Sequence, residues 1–298
     1  MDKLLFIYNP HAGTGRAKAN LSTILDSFTK AGALVTAYPT QGPGDATRAA
    51  RELAAGFDRV AVSGGDGTLH EVITGLMDLS QGSRPPIGYI PAGTTNDFAR
   101  NLSLPRGIEK MATLAAAGPG RPVDIGRLGE RYFIYVAAFG LFTDVAYNTP
   151  QQSKNALGHL AYVLQGVSEL ANVKSYRLMI HHDGGVLEGD FLYGMFCNTV
   201  SVGGVIGLPS DQVALDDGLL EAVLVRAPQS VPDFNAAVLA LATQEYTEES
   251  GVIVLHSSRF HITCDEAVPF TLDGEFGGEH TQTQVEAIHT PISIVYGA

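Results

Sequence analysis

The sequence predicts an α/β domain followed by a mainly antiparallel β domain, and three observations carry that reading. The first third alternates short apolar runs with helical stretches of about ten to fifteen residues, the pattern of right-handed βαβ units on a parallel sheet. From Val123 to about Val225 most segments instead have strand character, separated by hairpin signals. The length, 298 residues, is about twice that of a common domain.

The elements follow in order. Residues 4–8 form an apolar strand that runs into the turn chemistry Asn9-Pro10-His11-Ala12-Gly13. Residues 16–30 place Leu21, Ile24, Leu25 and Phe28 at helical spacing. A second strand at 34–38 precedes Gly42-Pro43-Gly44, after which Asp45 or Thr47 is placed to cap a helix reaching Ala55. The third strand is 60–62, the next helix 69–77 and the fourth strand 87–90. The small-residue stretch 115–122 marks the boundary, so residues 1–122 are expected to form the first domain and 123–289 the second. Strand patterns then fall at 132–138, 176–181, 191–197 and 219–225, with Asp183-Gly184-Gly185 as a hairpin turn. Helical pattern persists at 156–170 and 231–241. The tail returns to strands at 252–255, 260–264, 285–289 and 292–296.

Composition narrows the function. Hydrophobic residues make up 45% and charged residues 17%, so the chain can bury a core. A formal net charge of −12 argues against a nucleic-acid groove and a polybasic anchor, both of which need clustered positive charge, while leaving room for a small local basic patch. The charge is uneven: after Arg226 only Arg259 is basic, against ten acidic residues from Asp233 to Glu286, while the first 60 residues hold seven of the nineteen basic ones. Cys197 and Cys264 are too few for a disulfide framework or thiolate zinc site and read as buried hydrophobes. The opening apolar run is too short for a signal peptide, and the longest apolar run, 132–142, is too short to span a membrane. The expectation is a soluble protein of the cytoplasm.

The strongest chemical signal is Ser63-Gly64-Gly65-Asp66-Gly67-Thr68 between a strand and a helix. Its glycines allow a tight turn and close ligand approach, and the free N–H groups of a helix starting at Thr68 or Leu69 suit phosphate. Asp66 beside phosphates calls for Mg²⁺ between them. Taken alone, the segment fits an ordinary strand-to-helix turn equally well. It matches neither the Walker A loop nor the dinucleotide fingerprint. Two further loops, 9–15 and 91–98, follow strands one and four and should reach the same sheet edge, where open parallel sheets bind ligands. Near the end, Asp273-Gly274 is a tight-turn dipeptide expected to swing the Asp273 and Glu275 carboxylates out at a strand end. Such a carboxylate could take a hydroxyl proton during phosphoryl transfer; a plain hairpin turn is the alternative. The histidines show no metal-ligand spacing, and no G-x-S-x-G elbow is present.

Together, NPHAGTG, GGDGTLHEV and PAGTTNDFARNL resemble the diacylglycerol kinase catalytic-domain family, specifically its soluble bacterial lipid kinases. The resemblance continues through Val123-Asp124-Ile125-Gly126, Thr149-Pro150 before Lys154, Gly158 to Tyr162, Leu215-Asp216-Asp217-Gly218 and Leu272-Asp273-Gly274-Glu275, over essentially the whole chain. GGDGT alone is shared with NAD kinases and resembles the phosphofructokinase loop. The resemblance implies a three-layer α/β domain that binds ATP, a β-sandwich second domain, and a last strand, within 290–298, that returns to the first domain. It implies nucleotide contacts from Asn9, Thr40, Gly64, Gly65, Asp66, Gly67, Thr68, Leu69, His70 and Thr94. Asp66 would orient phosphates and Mg²⁺, Glu275 would be the general base, and Asp273 would support it or the metal. A structural Mg²⁺ would sit on the Asp217 side chain and the carbonyls of Ala214 and Leu219. Two features depart from the family pattern: the 197–207 stretch is an altered Gly-rich segment, and His70 stands where many relatives have Asn.

The resulting expectation is an ATP- and Mg²⁺-dependent kinase of diacylglycerol or a related lipid alcohol. It would meet its lipid transiently at the membrane surface, with Arg16 and Lys18 as candidates for anionic headgroups. An exposed sandwich edge would suit a homodimer. The rival readings are a NAD kinase-like enzyme and a nucleotide-binding regulator without turnover.

Overall fold

The computed structural model of the chain describes residues 1–13, 15–141, 174–199, 201–202, 206–208 and 213–297. The expected helix at 156–170 and the segments around Thr149-Pro150, Lys154 and Gly158 lie outside the described residues, as do 200 and 203–205 of the altered stretch. The chain divides into two compact units, Met1–Val123 with Thr290–Ala298, and Asp124–His289.

The first unit contains β1 (Asp2–Tyr8), α1 (Arg16–Ala19), α2 (Leu21–Lys30), β2 (Ala33–Pro39), α3 (Asp45–Leu53), β3 (Arg59–Gly64), α4 (Asp66–Met77), β4 (Ile87–Pro91) and α5 (Ile108–Ala117). Its strands run parallel in the order β4-β3-β1-β2. Leu4, Phe6, Ala61 and Ile90 of the sheet pack with Ile24 and Phe28 of α2 and Ala112 and Ala115 of α5. Strand alternation puts Leu5 and Ile7 on the opposite face, where they are equally buried. On α4, Gly75 brings that helix hard against α3: a Cβ there would lie 2.3 Å from the Thr47 carbonyl oxygen and 2.9 Å from the Ala50 Cβ. Both sheet faces are therefore covered, giving three layers.

The second unit holds the end of β5 (Gly120–Leu128), then β6 (Arg131–Phe133), β7 (Val136–Gly140), β8 (Tyr176–His182), β9 (Gly185–Cys197), β10 (Ser201–Val202), β11 (Ile206–Gly207) and β12 (Leu220–Arg226). After α6 (Val231–Thr243) come β13 (Val252–Ser257), β14 (Arg259–Leu272) and β15 (Glu275–Val295). β9 and β14 each pair antiparallel with both β8 and β7, enclosing a core of Phe139, Phe191, Phe196, Phe260 and Phe270. This is the β-sandwich-like half. Cys197 and Cys264 are buried and free.

Four boundaries differ from the sequence reading. The helix expected over 16–30 is two helices that meet at Asn20, whose backbone ψ of 8° leaves the helical range. The 132–138 strand is split into β6 and β7. The strands expected at 285–289 and 292–296 are one strand, β15, whose Ile294 and Val295 pair parallel with Ile87 and Gly88 of β4. Finally, Gly44, with φ 79°, occupies the N-cap of α3, so neither Asp45 nor Thr47 is the cap.

Candidate active site

In the first unit the parallel order brings the ends of four strands to one edge. Asn9 follows β1, Thr40 follows β2, Gly64 ends β3 and Thr94 follows β4. Backbone hydrogen bonds tie these ends together: Asn9 N donates to Ser63 O (2.9 Å), Thr40 N to Tyr8 O (2.9 Å) and Ala92 N to Gly64 O (2.8 Å). The loops touch through glycine. A Cβ on Gly13, whose φ is 56°, would fall 2.5 Å from the Ala92 carbonyl oxygen, and one on Gly93 would fall 2.5 Å from the Gly65 Cα. Any side chain at either position would push the loops apart.

The helix after the glycine loop begins earlier than its apolar spacing indicates. Gly65 is the N-cap and Asp66 opens α4, so the start expected at Thr68 or Leu69 is corrected to Asp66. Polar residues in a helix's first turn carry no periodic apolar signal, which is why the spacing missed them. Gly64 has no room for a Cβ, which would sit 2.4 Å from the Thr68 hydroxyl oxygen. Thr68 and Leu69 are buried, Gly67 is exposed, and Asp66 and His70 are half-buried.

Asp66 links two of the loops. Its Oδ2 accepts from Asp97 N (3.0 Å) and its Oδ1 from Phe98 N (3.3 Å). Asp97, itself buried, thereby lies beside Asp66. Sequence reasoning placed Asp97 in the third loop without assigning it to the site; its place in an Asn-Asp pair within a Gly-bearing loop was the available signal. Asn96 closes that loop, accepting from Gly93 N (2.9 Å) and donating to Gly93 O (2.8 Å). Tyr89 donates its hydroxyl to Gly64 O (3.2 Å). Burial, with a further push from the Asp66 charge, raises its phenol well above the ordinary range and keeps it a donor.

In the second unit the Asp273-Gly274 turn joins β14 to β15, with φ of 50° and 88°, both in the left-handed region that a two-residue hairpin of this kind needs. Its two carboxylates part ways. Glu275 is exposed, as expected. Asp273 turns inward instead: it is 9% exposed and accepts from Ile134 N (2.7 Å), Tyr135 N (3.0 Å) and Val136 N (3.1 Å). The expectation that both swing outward is corrected for Asp273, because the corner between β6 and β7 offers it three buried donors.

The turn carrying Ala214, Asp217 and Leu219 is likewise fastened. Asp217 Oδ1 accepts from Leu219 N (2.9 Å), and Gly218 N donates to the fully buried Asp124. Two residues on, Glu221 is fully buried and neither of its carboxylate oxygens has a hydrogen-bond partner. Burial first, then the charges of Asp217 and Asp124, push its carboxyl up to about 8. The Asp217 carboxylate and the backbone carbonyls of Ala214 and Leu219 are hard oxygen donors, the ligand type a divalent cation takes. Among the described residues no group of three or more His, Cys, Asp or Glu side chains is gathered to hold a metal.

Comparison with known proteins identifies the family of both halves. Residues 3–128 match the diacylglycerol kinase catalytic domain, and 137–294 match the YegS C-terminal NAD kinase beta sandwich-like domain. The chain is 36% identical over 280 residues to the diacylglycerol kinase of Bacillus subtilis (strain 168), covering 93% of this chain and 91% of that one. It is 35% identical over 274 residues to the diacylglycerol kinase of Staphylococcus carnosus (strain TM300), covering 92% and 88%. A crystal structure of a diacylglycerol kinase from Bacillus anthracis str. Sterne superposes with a TM-score of 0.77 at 27% identity, over 99% of this chain and 97% of that one. Matched domains in both halves, at such coverage, mean that the chain belongs to the diacylglycerol kinase catalytic-domain family of lipid kinases.

Proposed function

We propose that the protein is an ATP- and Mg²⁺-dependent kinase that transfers the γ-phosphoryl group to the hydroxyl of diacylglycerol, or a closely related lipid alcohol, giving phosphatidic acid or its equivalent. The observation that carries this reading is the division of labour between the two carboxylates of the Asp273–Glu275 turn, one spent on backbone and one left exposed. A regulator that only bound nucleotide would need no exposed carboxylate held on so firmly anchored a turn.

The roles follow from the chemistry. The N–H groups at the start of α4, with Asn9, Thr40 and Thr94 around them, bind and orient the phosphates. Asp66 and Asp97 would hold Mg²⁺ beside those phosphates, and Asp217 with the carbonyls of Ala214 and Leu219 would hold a second, structural ion. When bound, Mg²⁺ supplies positive charge that offsets phosphate and carboxylate repulsion. Glu275 accepts the proton of the lipid hydroxyl as its oxygen bonds to the γ-phosphorus, while the bridging bond to the β-phosphate breaks and ADP departs. Asp273 keeps the Glu275 turn in place rather than moving a proton itself. Arg16 and Lys18 are both exposed and serve brief docking on anionic headgroups.

The test is ATP-dependent phosphorylation of diacylglycerol micelles by the wild type and Glu275→Gln, with NAD as a competing acceptor. Loss of a general base should lower kcat by about 10²–10⁴ with the fold intact. Undiminished turnover in folded Glu275→Gln, or preference for NAD, would overturn the assignment.

A further inference from the structure

Glu71, the residue after His70, lies on the helix that opens with the glycine loop, and its carboxylate meets the start of α3. We propose that Glu71 is a positioning residue for the nucleotide: its carboxylate holds the loop carrying Thr40 in place against the helix carrying Asp66 to His70.

The argument starts from an unsatisfied helix end. The first N–H groups of a helix have no partner within it and need acceptors from elsewhere. At α3 the N-cap is Gly44, which has no side chain to accept them. Glu71 reaches across from α4 and supplies both oxygens: Gly44 N donates to Oε1 (2.9 Å) and Ala46 N to Oε2 (3.1 Å). A carboxylate at this end also meets the positive pole of the helix dipole. One helical turn further along α4, Gly75 lets α3 approach closely and sets the distance between the helices. Gly75 thus fixes how near α3 lies, and Glu71 fixes where its leading loop begins.

That loop is short and already held at its other end. Thr40, buried at 7% exposure, donates its N–H to Tyr8 O (2.9 Å) at the end of β1. Gln41 N donates to Asp45 Oδ2 (2.9 Å), and Tyr38 donates its hydroxyl to Asp45 Oδ1 (3.0 Å). These bonds make 38–45 a small rigid piece, and Glu71 is its link to α4. Without the carboxylate, two helix N–H groups lose their acceptor, and the piece carrying Thr40 keeps its bond to β1 and the α3 packing at Gly75 but loses its hydrogen bonds to α4. This inference rests on the reading that Thr40 and the α4 start bind nucleotide.

The test compares the full-length wild type with Glu71→Ala, Glu71→Gln, Thr40→Ala and the Glu71→Ala/Thr40→Ala double variant. Kinetics are read with ATP and lipid varied in turn, and ATP affinity by calorimetry. For Glu71→Ala the KM and Kd for ATP should rise about tenfold, with kcat within about threefold and the lipid KM unchanged. Glu71→Gln keeps one acceptor oxygen and should fall between, which preserves the test if the alanine variant folds poorly. Adding Glu71→Ala to Thr40→Ala should change ATP affinity little further, because both act through one contact. Wild-type ATP affinity in both Glu71 variants, or equal loss on ATP and lipid parameters with lowered melting, would mean a merely structural role and overturn the proposal. If Thr40→Ala itself leaves ATP affinity unchanged, the nucleotide reading of Thr40 fails and takes the proposal with it. If Thr40→Ala weakens ATP and the Glu71 variants do not, the Glu71 proposal fails alone.

Discussion

Asp273 and Glu275 show how position, rather than residue type, assigns a role. Both are carboxylates on one turn, yet Asp273 lies against the N–H groups of Ile134, Tyr135 and Val136 and Glu275 lies in solvent. A carboxylate taking several buried backbone donors cannot be removed without leaving them unpaired, at about 1–3 kcal/mol for each uncompensated group. Replacing Asp273 by Asn puts an amide N–H₂ where an acceptor stood. Asp273→Asn should therefore be destabilised by about 1–3 kcal/mol in chemical unfolding, and its kcat should drop together with that stability. A full loss of activity at wild-type stability would instead mark Asp273 as a participant in the chemistry. The sequence offered the same letter pair for both fates, since alternation and turn propensity carry no information about donors 137 to 139 residues away.

At the scale of elements, strand pairing in the second unit is reinforced by charge. Glu286 of β15 is 8% exposed at its side chain and joins Arg127 of β5 and Arg259 of β14, with Arg127 Nε at 2.9 Å and Arg259 Nε at 3.2 Å. Burial alone would push the Glu286 carboxyl up, but the Arg127 hydrogen bond and charge, with Gln284 and Arg259, hold it below its ordinary value of 4.5. A carboxylate whose folded pKa is depressed binds fewer protons in the folded chain than in the unfolded one. Its stabilisation is present above pH 4.5 and is lost as pH falls through the folded value. Melting temperature measured from pH 7 to pH 3 should fall on the acid side in the wild type. Glu286→Gln should melt lower than the wild type at pH 7, with the gap closing below pH 4.5; a constant gap across the range would show that the ion pairs contribute nothing to acid sensitivity. The strands themselves were legible from alternation, but β15 could not be read as one strand. Its polar middle, Glu279 to Gln284, interrupts the apolar pattern at either end.

For the whole molecule, the docking proposed above sets two exposed cations, Arg16 and Lys18, against a net charge of −12. Among the described residues no helix is long and apolar enough to cross a membrane. A brief electrostatic encounter is screened over about 8–10 Å at moderate salt, so raising ionic strength should depress activity on anionic vesicles far more than on neutral micelles. Equal losses on both would count against docking through that patch. By itself the sequence determined the order of βαβ units, the change of pattern near residue 120, the glycine loops and the Asp-Gly turn, because each is local chemistry written within a few residues. Only the tertiary structure decided which carboxylates hold backbone and which face solvent, that Asp66 binds the loop at Asp97 and Phe98, and that Glu71 caps a helix 25 to 27 residues earlier. Those outcomes depend on which buried donors lie within hydrogen-bond reach once the chain has packed. That reach is a property of three-dimensional proximity, and no spacing along the chain encodes it.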